Sequence, residues 1–130
     1  MSISATYDEL HRIALAEFAE IVVYADIQRL PTGDPRKLRL FLVDNSFVDV
    51  FVSVTGRYSY HWARANIDVS TIYRHDNAPH KAWRFVATFP KHFHNGGEEN
   101  VTESTISDEP ADAIREFCRF IMQTLRDEAR

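Results

Sequence analysis

Four of the six histidines in this 130-residue chain fall within one stretch, YRHDNAPHKAWRFVATFPKHFHNGG, residues 73–97. The same stretch carries Arg74, Lys81, Arg84 and Lys91 against one acid, Asp76, and a fifth histidine, His61, lies just upstream in RYSYHW. Imidazole titrates near neutrality and also ligates metals, so such a cluster points to a metal site, to acid–base chemistry on a phosphate, or to a polar loop with no chemistry.

A metal site would draw on His92 and His94, which point the same way if they lie on a strand, with Asp76, His80 and His61 as further donors. The chain has no HExxH, no cysteine pair and no established ligand spacing. The sequence is therefore read as using no metal and no cofactor. Acid–base cleavage of a phosphodiester suits the inventory better. One histidine removes a proton and a second, charged one donates it. Guanidinium and ammonium groups then stabilise the charge that builds on phosphorus. RNA supplies its own nucleophile in the 2′-hydroxyl. On this reading His61, His80, His92, His94 and Asp76 are the candidate catalytic groups. Arg57, Arg74 and Lys91 are candidate phosphate contacts, with Asn77 beside them, and Tyr58, Tyr60 and Tyr73 could stack bases or bond phosphate oxygens.

Plainer roles compete for several of these residues. Tyr58 and Tyr60 share one face of a strand, where cross-strand packing alone would account for them. Trp62 and Trp83 read as packing residues. His11, on a predicted helix, and His75, alternating away from Arg74 and Asp76, read as structural. The DNAP sequence at 76–79 is also a turn signal, so Asp76 and Asn77 could serve only to shape the chain ahead of His80.

The charge distribution supports a local anion site within an acidic protein. The net charge is −4 overall, yet residues 57–94 carry six Lys/Arg against two Asp/Glu, while the flanking segments are acidic. Overall acidity excludes non-specific coating of nucleic acid, but a local basic patch can hold phosphates. No apolar run approaches the ~18 residues of a membrane span, and MSISATYDELHR lacks the pattern of a signal peptide. The single cysteine, Cys118, lies on an apolar helix stripe and cannot form an internal disulfide. A reducing cytoplasm is the expected location.

The elements that must position these groups follow from hydrophobic periodicity. Leu10, Ile13, Ala14, Phe18 and Ile21 predict an N-terminal helix with Thr6 as its cap. Leu38, Leu40 and Leu42 alternate with polar partners, and FVDVFVSV follows the DNS turn with its valines on one face. RYSYHWAR and IDVSTIYRH read as the next strands, and HNGGEENVTESTIS as a polar, mobile connection. Ile114, Phe117, Cys118, Ile121, Met122 and Leu125 predict a closing helix capped by Ser107 ahead of Pro110. Residues 1–130 are thus read as one α+β domain. Its sheet is an antiparallel meander of five or six strands, with the N- and C-terminal helices packed on one face and the other face free.

Taken in order, LRLFLVDNSFVDVFVSV-TGRYSYHW, YRHDNAPH and FPKHFHNG resemble the strand–turn–strand unit, the R-x-DNAPH element and the FP-x-H-x-H-x-G element of the TumE-like toxins of prokaryotic toxin–antitoxin modules. The resemblance runs from about Lys37 to the C-terminal helix and leaves the first helix out. It implies a toxin that acts on RNA or translation and is neutralised by a cognate antitoxin protein, with a homodimer as an open alternative. The family-like polar positions are Tyr58, Tyr60, His61, Arg74, Asp76, Asn77, His80, His92 and His94. Lys91 departs from the pattern, standing where the family often has a histidine-like residue. Joined to the chemistry above, the expectation is a metal-independent ribonuclease. The alternatives are a non-catalytic nucleic-acid or protein-binding module and a metal-dependent nuclease or other hydrolase.

Overall fold

The first helix, α1 (Ile3–Glu17), starts one turn earlier than the Thr6 cap predicted. Ser2 is the cap, its Oγ accepting from the Ala5 amide at 3.1 Å. A computed structural model covering residues 1–130 continues from α1 through seven strands to a closing helix. The strands are β1 (Val22–Arg29), β2 (Pro35–Leu42), β3 (Phe47–Val52), β4 (Tyr58–Ala63), β5 (Ile72–Asp76), β6 (His92–Asn95) and β7 (Val101–Glu103), and the helix is α2 (Pro110–Glu128). The sheet order is β1 to β7 without a crossover, every neighbouring pair antiparallel. This is the predicted meander with more strands than the five or six expected.

The seventh strand lies inside the segment predicted as a mobile connection. Val101, Thr102 and Glu103 pair with His94, Phe93 and His92. So short and polar a strand has no apolar alternation to betray it. Conversely, residues 64–71 are not the start of β5. They form a turn held by the Arg64 amide on the Thr71 carbonyl, 2.9 Å, with the Asp68 carboxylate accepting from Ser70.

Period-two alternation decides what each face holds. Leu38, Leu40 and Leu42, then Val48, Val50 and Val52, face the helices and bury against Leu10, Ile13 and Ala14 of α1 and Ile114, Phe117, Cys118 and Ile121 of α2. Each such large side chain contributes about 1.5–3 kcal/mol when fully buried. Burial pushes the Cys118 thiol up to about 12, which fits its predicted packing role. At the start of α2, Glu109 accepts from the Ala111 amide at 3.4 Å and is the cap. Ser107, predicted as the cap, instead accepts from the Glu109 amide at 3.0 Å, one step outside the helix. No helix is long and apolar enough to cross a membrane.

The face opposite the helices is only partly free. Its β1–β4 portion is open, but the β5–β6 connection folds back over the other end. A single 3₁₀ turn at Lys81–Trp83 brings the Trp83 ring within 5.6 Å of the His94 ring and 6.3 Å of the His92 ring.

Candidate functional site

Strand register assembles a lateral row of polar groups on the open face. Asp26 pairs with Arg39, Arg39 with Asp49, Asp49 with His61, His61 with Arg74, and Arg74 with His94, one residue from each of β1 to β6. One pleat along, Asp76 pairs with both Ser59 and His92. Five of the predicted residues, His61, Arg74, Asp76, His92 and His94, therefore meet on adjoining strands of one face, although 33 positions separate the first from the last in the chain.

Arg74 is the hub. Its Nε donates to Asp76 Oδ2 at 2.9 Å, and its Nη1 and Nη2 donate to Glu98 Oε1 and Oε2 at 2.9 and 2.8 Å, a two-pronged clasp. Nη1 also lies 3.4 Å from His61 Nδ1. Burial and then the Arg74 charge push the His61 imidazole down from its usual range, so His61 is neutral at pH 7. Glu98, with a side chain 57% exposed, was not foreseen from sequence. It belongs to the Gly96–Gly97 segment predicted to be mobile, and its only signal was an acid next to a basic cluster.

Asp76, His92 and His94 form the buried floor of this site. Both histidine side chains are only 2% exposed. His92 Nδ1 donates to the Pro90 carbonyl and His94 Nδ1 to the Glu98 carbonyl, each at 2.8 Å. A carbonyl can only accept, so both rings carry their proton on Nδ1 and turn Nε2 inward. The Nε2 atoms stand 3.2 Å from Asp76 Oδ1 and 3.8 Å from Asp76 Oδ2. His94 Nε2 is buried with no hydrogen-bond partner. Burial pushes the His94 imidazole down.

Other predicted residues lie elsewhere. His80 is exposed and caps the 3₁₀ turn, its Nδ1 accepting from the Ala82 amide at 3.2 Å. The Trp83 ring stands between it and the floor. Arg57 is exposed at the mouth of a shallow cavity of about 360 Å³ that also takes in Phe51, Ser59 and Asp76. Its guanidinium makes no ion pair, and exposed Lys81 and Arg84 lie near His80 on the β5–β6 connection.

Three expectations are corrected. Tyr58, Tyr60 and Tyr73 alternate with Ser59, His61 and Arg74, so they point to the helix-covered face. There Tyr60 packs toward Phe117, and Tyr73 stacks on Trp62 at 5.2 Å. Burial raises the Tyr58 hydroxyl to about 12, and none of the three is a stacking platform for bases. Lys91 also points to the helix side, where its Nζ donates to the Ile106 carbonyl and pairs with Asp108 at 3.2 Å. Asn77 spends both ends of its amide on backbone, accepting from the Tyr58 amide at 3.0 Å and donating to the Gly56 carbonyl at 2.8 Å. That makes it a clamp on the β3–β4 turn. His11, read as structural, ties α1 to β1 by bonding the Ala25 carbonyl through Nε2 at 3.1 Å.

Against known proteins, a family model described as Toxin TumE matches residues 10–125. The match takes in the second half of α1, a helix outside the motif resemblance. No curated protein and no solved structure matches the chain.

Proposed function

The chain belongs to the TumE toxin family, and from that premise we propose that it arrests growth by cleaving RNA on the open sheet face, and that a cognate antitoxin blocks it. The observation that carries the RNA reading is the pairing of a neutral imidazole with a guanidinium across β4 and β5. His61 and Arg74 are register partners, 3.4 Å apart, beside a cavity rimmed by the unpaired Arg57.

In this reading His61 accepts the proton of the attacking 2′-hydroxyl, since its lowered affinity for protons keeps the ring in the accepting form at pH 7. The 2′-oxygen bonds to phosphorus, the P–O5′ bond breaks, and the leaving 5′-oxygen takes its proton from water. Arg74 and Arg57 hold the phosphate, and a guanidinium fork suits that task better than an ammonium. Asp76 fixes the Arg74 side chain from below, so the fork stays aimed across the face. Lys81 and Arg84, exposed beside His80, offer the cationic edge past which a strand would run.

The test is induction of the protein alone in a bacterial host, followed by incubation of purified protein with total RNA. Growth arrest and new RNA ends are expected from the parent. His61→Ala should lower the cleavage rate roughly 10²–10⁴-fold, the usual worth of one acid–base group, while remaining folded by circular dichroism. RNA left intact by a protein that still arrests growth would remove the ribonuclease and keep the toxin. Unhindered growth at verified soluble expression would count against both.

A further inference from the structure

We propose that Asp76, His92 and His94 bind one first-row divalent metal ion through a carboxylate oxygen and the two Nε2 atoms. Their donor atoms all lie within 4.8 Å of one another, and all three residues are buried. This departs from the metal-free reading of the sequence. There, no ligand motif is visible, because the site joins an i, i+2 pair on β6 to the residue facing it on β5.

Three features of the geometry argue for a cation in the gap. The Nδ1 bonds to the Pro90 and Glu98 carbonyls anchor both rings with Nε2 turned toward Asp76. Such anchoring of the far ring nitrogen accompanies nearly every metal-bound histidine. Both Nε2 atoms and the Asp76 carboxylate therefore converge on one buried gap, which a cation would fill. Lastly, His94 Nε2 is buried with nothing to bond, in a side chain 98% removed from solvent by its 2% exposure. A buried polar atom left unpaired costs about 1–3 kcal/mol, so it calls for a partner.

The distances fit that partner. Metal–nitrogen and metal–oxygen bonds of about 2.0–2.2 Å place neighbouring ligand atoms roughly 3–3.5 Å apart in octahedral or tetrahedral geometry. The 3.2 Å separation falls in this range and the 3.8 Å separation lies just above it. Two imidazoles with one carboxylate favour zinc, manganese, iron or their neighbours over magnesium or calcium, which prefer all-oxygen cages. Asp76 keeps lone pairs for the ion. Its Oδ2 accepts from Arg74 Nε at 2.9 Å and its Oδ1 from the Ala78 amide at 3.0 Å, which leaves one position free on each oxygen. Three protein ligands leave coordination sites open, and Asp76 lines the cavity beside Arg57, through which an outside ligand could reach the ion.

The site rests on this geometry and not on the ribonuclease reading, so its test uses no RNA. Full-length protein dialysed against EDTA and then buffer is titrated calorimetrically with Zn²⁺ and separately with Mn²⁺. We expect one saturable equivalent for at least one of them, with a rise in melting temperature. His94→Ala and Asp76→Asn should each weaken binding by more than the roughly 10–100-fold that follows loss of a ligand's outer hydrogen-bond partner. The near-isosteric Asp76→Asn guards against a His94→Ala variant that does not fold. His80→Ala, which removes an exposed imidazole, should bind like the parent. No saturable binding by the folded parent, or binding that survives Asp76→Asn but not His80→Ala, would overturn the proposal.

Discussion

His75 is the histidine whose environment gives the most definite number. Its ring stacks on Phe93 at 4.1 Å, meets the edge of Phe117 at 5.7 Å, and holds Ser104 Oγ through Nδ1 at 2.7 Å. Burial, with the Lys91 charge next, pushes it down to about 4. An unfolded chain would titrate it near 6.5. Above that value both states are neutral and the full stability is present. Between 6.5 and about 4 the unfolded state takes up a proton that the native state refuses, so stability falls as the pH falls. Below about 4 both states are protonated and the loss is complete. Each pH unit in the window costs about 1.4 kcal/mol, which amounts to roughly 2 kcal/mol by pH 5 and about 3 kcal/mol by pH 4. His75→Phe keeps the stacking surface and removes the proton. The difference in unfolding free energy between parent and variant should shift by about 2 kcal/mol in the variant's favour from pH 7.5 to pH 5. Urea unfolding at five pH values measures it, with EDTA present so that no ion beside Asp76 enters the comparison. Loss of the Ser104 bond offsets the variant equally at every pH and cancels in the difference. Parallel stability curves would show that His75 titrates freely, and the tight β5–β6 aromatic layer described above would then be wrong.

Glu98→Gln should strengthen RNA binding, because Glu98 occupies the Arg74 fork that a phosphate would need; a steeper salt dependence, by about 0.7 in log–log slope for one added phosphate contact, is the expected signature in fluorescence anisotropy. Arg64→Ala should cost about 3 kcal/mol in denaturant unfolding with an unchanged slope. Its guanidinium is 3% exposed, ties Glu128 at 2.6 and 2.8 Å and Asp44 at 3.2 Å, and lies over Trp62. Asn77→Ala should lower stability by about 1–3 kcal/mol through two orphaned backbone groups, leaving RNA affinity per folded molecule unchanged. The acidic limb of RNA cleavage should fall below pH 6.5, the direction in which burial and Arg74 move His61, and a limb at or above 6.5 would name a different base.

The sequence disclosed the fold wherever burial was one-sided. Leu38, Leu40 and Leu42 and the valines of β3 alternate without interruption, and the α2 stripe repeats at helical spacing, so the helix-covered half was legible. β7 was not, because three residues at a sheet edge, one valine followed by two polar side chains, are too few to carry such a pattern. The site divides along the same physical line. RYSYHW already implied that His61 and the tyrosines occupy opposite faces, since a strand cannot show both to one substrate. That rule assigns Tyr58 and Tyr60 to the core. The rule that ties His61, Arg74 and His94 together is different. It depends on how far each hairpin is offset from the last, and a 15-residue β5–β6 connection leaves that offset open. Only register could show that the R-x-D pair on β5 stands opposite H-x-H on β6, with Arg74 beside His94 and Asp76 beside His92. Hence the sequence could name the polar cluster but not sort its chemistry. Asp76, His92 and His94 face one another as a buried cluster, whereas His61 and Arg74 sit above them, nearer solvent.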